Sequence, residues 1–258
     1  MPRFPLAALR TLAPLAAAAV LALSAPAAAF DIEAMSAEER DAFRAEVRAY
    51  LLENPEVLVE AIGVLEDRQV AAQAVDDATL IAANAEAIFE NPASWVGGNP
   101  DGDVTLVEFV DYNCGFCKRA FPEVMELVDR DGNLRLILKE LPILGPESEL
   151  ASRFAIAVMQ MEGPDVYAEA HELLMMLPGR SGLPAVTRVA GDLGLDMEAI
   201  VTRMESDAVT AVIEENRLLA QRLGVNGTPT FILEDQMLRG YLPLAAMAEL
   251  VDEVRARP

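Results

Sequence analysis

Cysteine, histidine and basic residues are all scarce in this chain. Of 258 residues, two are Cys, one is His and one is Trp, and 20 Lys and Arg face 42 Asp and Glu, a formal net charge of −22. Two Cys and one His fall short of the four ligands a tetrahedral structural zinc site takes, so no structural zinc site is expected. The acidic balance excludes nucleic acid and anionic lipid surfaces as natural partners, since like charges repel. It reads as a strongly solvated surface. There is no internal repeat and no low-complexity tract beyond an Ala-rich leader. At 53% hydrophobic and 24% charged the composition is globular, with length for one good-sized core plus an appendage, or two small domains.

The leader comes first. Residues 1–10 carry Arg3 and Arg10 and no acid, and the uncharged run 11–30 ends in Ala27-Ala28-Ala29. A basic start, an apolar middle and a small-x-small end predict a secretory signal peptide over residues 1–29, cut after Ala29, and hence a periplasmic protein. A retained membrane anchor is the competing reading, although the run is rich in weakly apolar Ala and contains Pro14 and Pro26. Loss of Arg3 and Arg10 would leave 18 basic residues against 42 acids, net −24. In an oxidising compartment the spacing of Cys114 and Cys117 matters. A disulfide closing so short a loop constrains the unfolded chain little, so the pair is a poor staple and a good redox couple.

Ser36 with Glu39 three residues on forms a capping box, followed by Phe43, Val47, Tyr50 and Leu51 at helical spacing. Asn54-Pro55 starts a second helix, expected to run to about Phe89 before Asn91-Pro92 stops it. Its apolar residues are too sparse for a core of their own. They require burial against the other domain or another copy of the chain, or the helix is a linker packed on its own domain. The cluster Gly97-Gly98-Asn99-Pro100-Asp101-Gly102 reads as a turn and a domain boundary. Val104 to Val110 reads as a strand, residues 118–128 as a helix and Leu134 to Lys139 as a second strand. A helical block spans about 148–223, then a turn at Asn226-Gly227-Thr228-Pro229, strands near 230–233 and 237–239, and a helix from Pro243. The expected divisions are 1–29, a helical segment 30–93 and a third domain 94–258. This order is that of an α/β thioredoxin fold with an inserted helical domain, preceded by an N-terminal α-helical segment.

Phe109-Val110-Asp111-Tyr112-Asn113-Cys114-Gly115-Phe116-Cys117-Lys118 resembles the active-site signature of the DsbA-like thioredoxin superfamily. The run 224–231, with Thr228-Pro229, is similar to its cis-proline loop, and 141–148 to the approach to its helical insertion. More locally, residues 43–61 resemble the N-terminal helical domain of the ScsC-type suppressors of copper sensitivity, which mediates oligomerisation. The resemblance, covering about residues 95–258 for the first group, implies a thiol–disulfide oxidoreductase. Its expected partners are exported proteins with cysteines and a membrane redox partner. A homo-oligomer, trimer or dimer, is expected through the N-terminal helices, and no cofactor.

Disulfide exchange needs a thiolate, and a helix N-terminus favours one at Cys114; Cys117, one turn on, would resolve the mixed disulfide. Lys118 and Arg119 add positive charge, or are ordinary solvated residues. Copper(I) binding is the rival chemistry for two soft thiolates. By the resemblance, a cis bond at Thr228-Pro229 would present backbone to an extended client, with Gly115 and Phe116 beside it; the plain alternative is a turn before a strand. Glu108 lies in an apolar strand, facing inward as a proton acceptor for Cys117 or outward to solvent. Strong oxidants of the DsbA class usually carry Pro-His between the cysteines, whereas periplasmic isomerases carry Gly-Tyr. Gly115-Phe116 therefore leans toward isomerase or reductase activity over oxidase activity.

Overall fold

A computed structural model describes residues 33–257, so the expected signal peptide lies outside the described residues. The chain divides into two compact units, one ending at Val64 and one running from Leu65 onward.

In the first unit, α1 (Ala37–Glu53) begins at the capping box: the Ser36 amide donates to Glu39 Oε2 at 2.9 Å and the Glu39 amide to Ser36 Oγ at 3.2 Å. The helix buries none of its residues within the chain, and Phe43, Val47 and Tyr50 stand exposed, as do Leu58 and Ile62 at the start of α2 (Glu56–Ala83).

The second unit is built on a five-stranded sheet in the order β1-β3-β2-β4-β5. The strands are β1 (Trp95–Gly98), β2 (Val104–Val110), β3 (Leu134–Glu140), β4 (Thr230–Leu233) and β5 (Gln236–Arg239), with only β2 and β3 parallel. Alternation along the strands splits the core. Leu106, Val110, Leu136 and Leu138 face α4 (Gly115–Asp131), the inserted helices α5 (Pro146–Glu162), α6 (Pro164–Met176), α7 (Leu183–Asp192) and α8 (Met197–Met204), and α10 (Leu244–Arg255). On the other face Val107, Phe109, Ile137 and Ile232 pack with Ile81, with Ile88 of α3 (Ala85–Phe89) and with Leu219 of α9 (Asp207–Arg222). This is the expected thioredoxin fold, with α5–α9 inserted between β3 and β4.

Two local departures have physical reasons. The helix expected to reach Phe89 breaks at Asn84, whose Nδ2 turns back to the Leu80 carbonyl while its Oδ1 accepts from Arg222 Nε at 2.7 Å. The glycine-rich turn begins as a strand: a Cβ on Gly97 would lie 1.9 Å from the Trp95 indole, which covers that backbone, so glycine there permits the edge pairing with β3. Behind the sheet, buried Lys139 ties α3 down through the Ala87 carbonyl (2.8 Å) and Ser94 Oγ (2.7 Å). Asp77, in the part of α2 that belongs to this unit, makes a two-pronged ion pair with Arg239 of β5.

Candidate active site

The connection from β2 to α4 is only Asp111 to Cys114, and each of its first three side chains is bolted to a different neighbour. Asp111 Oδ2 accepts from the amides of Ile143 (2.9 Å) and Leu144 (3.0 Å). Tyr112 turns into the core, where its hydroxyl donates to Glu140 Oε1 at 2.7 Å. Asn113 donates to Ser148 Oγ at 3.2 Å and accepts from the Ser181 amide at 2.6 Å. The chain is therefore held in place when it reaches Cys114, the N-cap of α4.

Cys114 is 6% exposed and Cys117, one turn into α4, is fully covered. The Cys114 sulfur accepts from the Cys117 amide at 3.4 Å, and its thiol donates to the Thr228 carbonyl at 3.1 Å, across the cis Thr228-Pro229 bond. Hydrogen bonding to the Cys114 anion, from the Cys117 side chain foremost and then from the Thr228 side chain and the Cys117 and Phe116 amides, outweighs burial and brings the Cys114 thiol down to about 6. Burial pushes Cys117 strongly the other way, helped by Cys114 and Glu108. One turn of helix thus separates a thiolate from a thiol. Beside them Gly115 is exposed and the Phe116 ring is 60% exposed, an apolar surface at the mouth of the site.

Glu108 lies inside, 3% exposed, its carboxyl raised to about 8 by burial and by the charge of Cys114. Of the two basic residues after the motif, Lys118 caps the Leu177 and Gly179 carbonyls at 2.7 and 2.9 Å, and Arg119 lies over the Tyr241 ring. Both act on neighbouring structure. The structure thus brings Cys114, Cys117, Glu108, Thr228, Pro229, Gly115 and Phe116 to one end of the sheet. No cluster of three or more His, Cys, Asp or Glu able to hold a metal occurs among the described residues.

A buried polar group beside the pair went unread in the sequence. Glu140 accepts from the hydroxyls of Tyr112 and Tyr167 (both 2.7 Å) and of Ser152 (2.8 Å), and burial lifts its carboxyl to about 7. His171 Nδ1 sits 2.9 Å from the Tyr112 hydroxyl, whose hydrogen is committed to Glu140, so the imidazole is the donor there. Burial holds His171 neutral, down to about 3. The available signal was period-two alternation in β3, which puts Glu140 on the face of Leu136 and Leu138.

A thioredoxin fold with a lowered and a raised thiol at the start of one helix, the lowered one facing a cis-proline loop, defines the thiol–disulfide oxidoreductases as a class. The chain belongs to the DSBA-like thioredoxin domain family, whose model matches residues 105–252, and residues 39–72 match the model of the copper resistance protein ScsC N-terminal domain. It is similar to a thioredoxin-like oxidoreductase from Silicibacter pomeroyi (43% identity, 67% of this chain and 98% of that one, TM-score 0.64). It is also similar to a linker-deleted ScsC from Proteus mirabilis (26% identity, 88% and 99%, TM-score 0.65). Among curated proteins it matches the Na(+)/H(+) antiporter NhaA of Herminiimonas arsenicoxydans at 31% identity over 166 residues, 62% of this chain. The chain spans about a quarter of the length of the first curated relatives it matches. Among the described residues no helix is long and apolar enough to cross a membrane.

Proposed function

We propose that the chain exchanges disulfides in exported, periplasmic proteins through Cys114 and Cys117, with isomerisation or reduction favoured over net oxidation. The observation that carries this reading is the split between the thiols, Cys114 lowered to about 6 at the helix N-cap and Cys117 buried and raised. Cys114 thiolate attacks one sulfur of a client disulfide; the client S–S bond breaks, a mixed disulfide forms, and the other client sulfur leaves as a thiolate that takes a proton from water. In isomerisation that client thiol, or another, attacks the mixed disulfide and returns Cys114 as thiolate, with no net change in oxidation. In reduction Cys117, its proton passing to the Glu108 carboxylate, attacks Cys114 Sγ and releases the second client thiol. The resulting Cys114–Cys117 disulfide then needs two electrons from a membrane redox partner. Thr228 and Pro229 offer backbone to the extended client, and Gly115 and Phe116 form the adjoining contact.

The direction rests on Gly115-Phe116. Phe116 supplies no charge to stabilise the reduced thiolate, so the couple is more reducing than that of an oxidase with His in its place. The N-terminal helices, through their exposed apolar residues, assemble copies into an oligomer that turns several active sites toward one client. Insulin reduction and refolding of scrambled ribonuclease, with the redox state of the pair in cells, test this. Activity in both assays with a mostly reduced pair is expected. A mostly oxidised pair, with inactivity on scrambled ribonuclease, makes the protein an oxidase.

A further inference from the structure

Glu108 has a second side that disulfide exchange leaves unused. Its carboxyl borders a cavity of about 420 Å³ between the sheet, α4 and α6, within the usual size range of small-molecule sites. Among the described residues no hydrogen bond reaches that carboxyl, although the side chain is 3% exposed; its titration is set by burial and the Cys114 charge alone. A buried carboxyl without a partner is costly unless what fills the space answers it. Apart from the neutral imidazole of His171 the rest of the floor is apolar, with Val124, Leu136 and Leu138, and Trp95 and Phe121 supply aromatic rings. At the mouth stand Asp129, Glu169 and Glu172, and no Lys or Arg lines the cavity.

We infer that this cavity is a binding site for a small hydrophobic organic cation, an aromatic amine or a quaternary ammonium, with Glu108 as its counter-ion. The apolar floor takes the hydrocarbon part, the rings of Trp95 and Phe121 favour a cation over a neutral molecule, and the acidic rim concentrates positive charge. An anion would meet four carboxyl groups with no base to offset them. The site lies behind the redox pair, away from the Thr228 carbonyl and Phe116, and the inference does not depend on how the pair is used.

Trp95 is the single Trp of the chain, so its fluorescence reports occupancy directly. The probe is benzyltrimethylammonium, whose charge does not titrate, against neutral benzyl alcohol, on the reduced full chain. Several groups face Glu108: Cys114 and Cys117 at one end of α4 and Asp129 toward its other end, and Tyr167, Glu169, His171 and Glu172 on α6. Cys114 is a thiolate and His171 neutral at both pH 7 and pH 9, so the ionisation of Glu108 near 8 governs the difference. Saturable binding of the cation is expected, about tenfold tighter at pH 9 than at pH 7, the ratio of ionised Glu108 at the two values. Glu108→Gln should weaken binding at pH 9 at least tenfold and remove its pH dependence. Ala168→Phe, which fills the cavity from α6 and keeps Glu108, should abolish binding. Should Glu108→Gln fail to fold by circular dichroism, the pH series and Ala168→Phe decide. No saturable signal at pH 9, equal affinity for benzyl alcohol, or undiminished binding to Ala168→Phe overturns the site.

Discussion

Cys114 and Cys117 sit one helical turn apart and are joined by an amide-to-sulfur hydrogen bond, yet their chemistry is set apart by what surrounds each sulfur. With Cys114 lowered to about 6, its alkylation rate by iodoacetamide should climb through that pH and level off by neutrality, while Cys117 stays unreactive in the native protein. Faster labelling of Cys117 would reverse the roles assigned to the two. Glu108 sets a stability prediction of definite sign. Its folded pKa of about 8 lies above the ordinary carboxylate value, so between those two limits the unfolded chain has lost a proton that the folded chain keeps. Stability from this group is full below pH 4 and is lost as pH rises to about 8, by about 4 kcal/mol between pH 5 and pH 8. Glu108→Gln should therefore raise the melting temperature of the reduced protein, more at pH 8 than at pH 5, while slowing the release of mixed disulfides that depends on Cys117. Phe116→His should make the couple more oxidising, on the order of 30 mV or more in glutathione equilibrium, because an imidazolium beside Cys114 stabilises the reduced form. An unchanged potential would separate direction from this dipeptide.

The strand-to-helix connection works as an element because Asp111, Tyr112 and Asn113 each reach a separate segment. Tyr112→Phe removes one of three donors to the buried Glu140 carboxylate and leaves His171 Nδ1 without its partner. A loss of about 1–3 kcal/mol in urea unfolding is expected, with the Cys114 reactivity profile kept if the other two anchors suffice. The elements around it were legible to different degrees. The strands 104–110 and 134–139 and the helix after Cys114 were readable because apolar periodicity and helix-ending residues agree there. Strand β1 was not, since its two glycines signal a turn and its pairing depends on the Trp95 ring lying across Gly97. The pair Cys114–Cys117 and Thr228-Pro229 were visible as motifs. The Glu140 group was not, because its partners come from β3, α5, α6 and the Tyr112 connection, up to 59 residues apart, and only the folded insertion brings them together.

At the scale of the whole molecule, the apolar residues of α1 and early α2 stand largely exposed among the described residues. Phe43, Val47, Leu58 and Ile62 are 40–55% exposed, on a first unit that buries none of the residues of α1. Covering such side chains with another copy is worth roughly 1.5–3 kcal/mol each at full burial, which in sum competes with an association cost of about 4–15 kcal/mol. The full chain should accordingly be a trimer or dimer by light scattering. The place to cut it is given by the packing behind the sheet. Ile81 and Ile88 belong to that core, Lys139 bonds the Ala87 carbonyl, and Asp77 pairs with Arg239. A chain starting at Trp95 would lose all of these and Ser94 as well, leaving buried Lys139 without either of its hydrogen-bond acceptors, and should be poorly stable. A chain starting at Leu65 keeps them and drops Phe43 to Ile62. That shortened protein should be a folded monomer that still reduces insulin and refolds scrambled ribonuclease markedly more slowly, since one active site alone must both attack and hold the client. A full chain that is monomeric at micromolar concentration would assign the exposed stripe some other partner. Ribonuclease refolding unaffected by the cut would detach isomerisation from assembly.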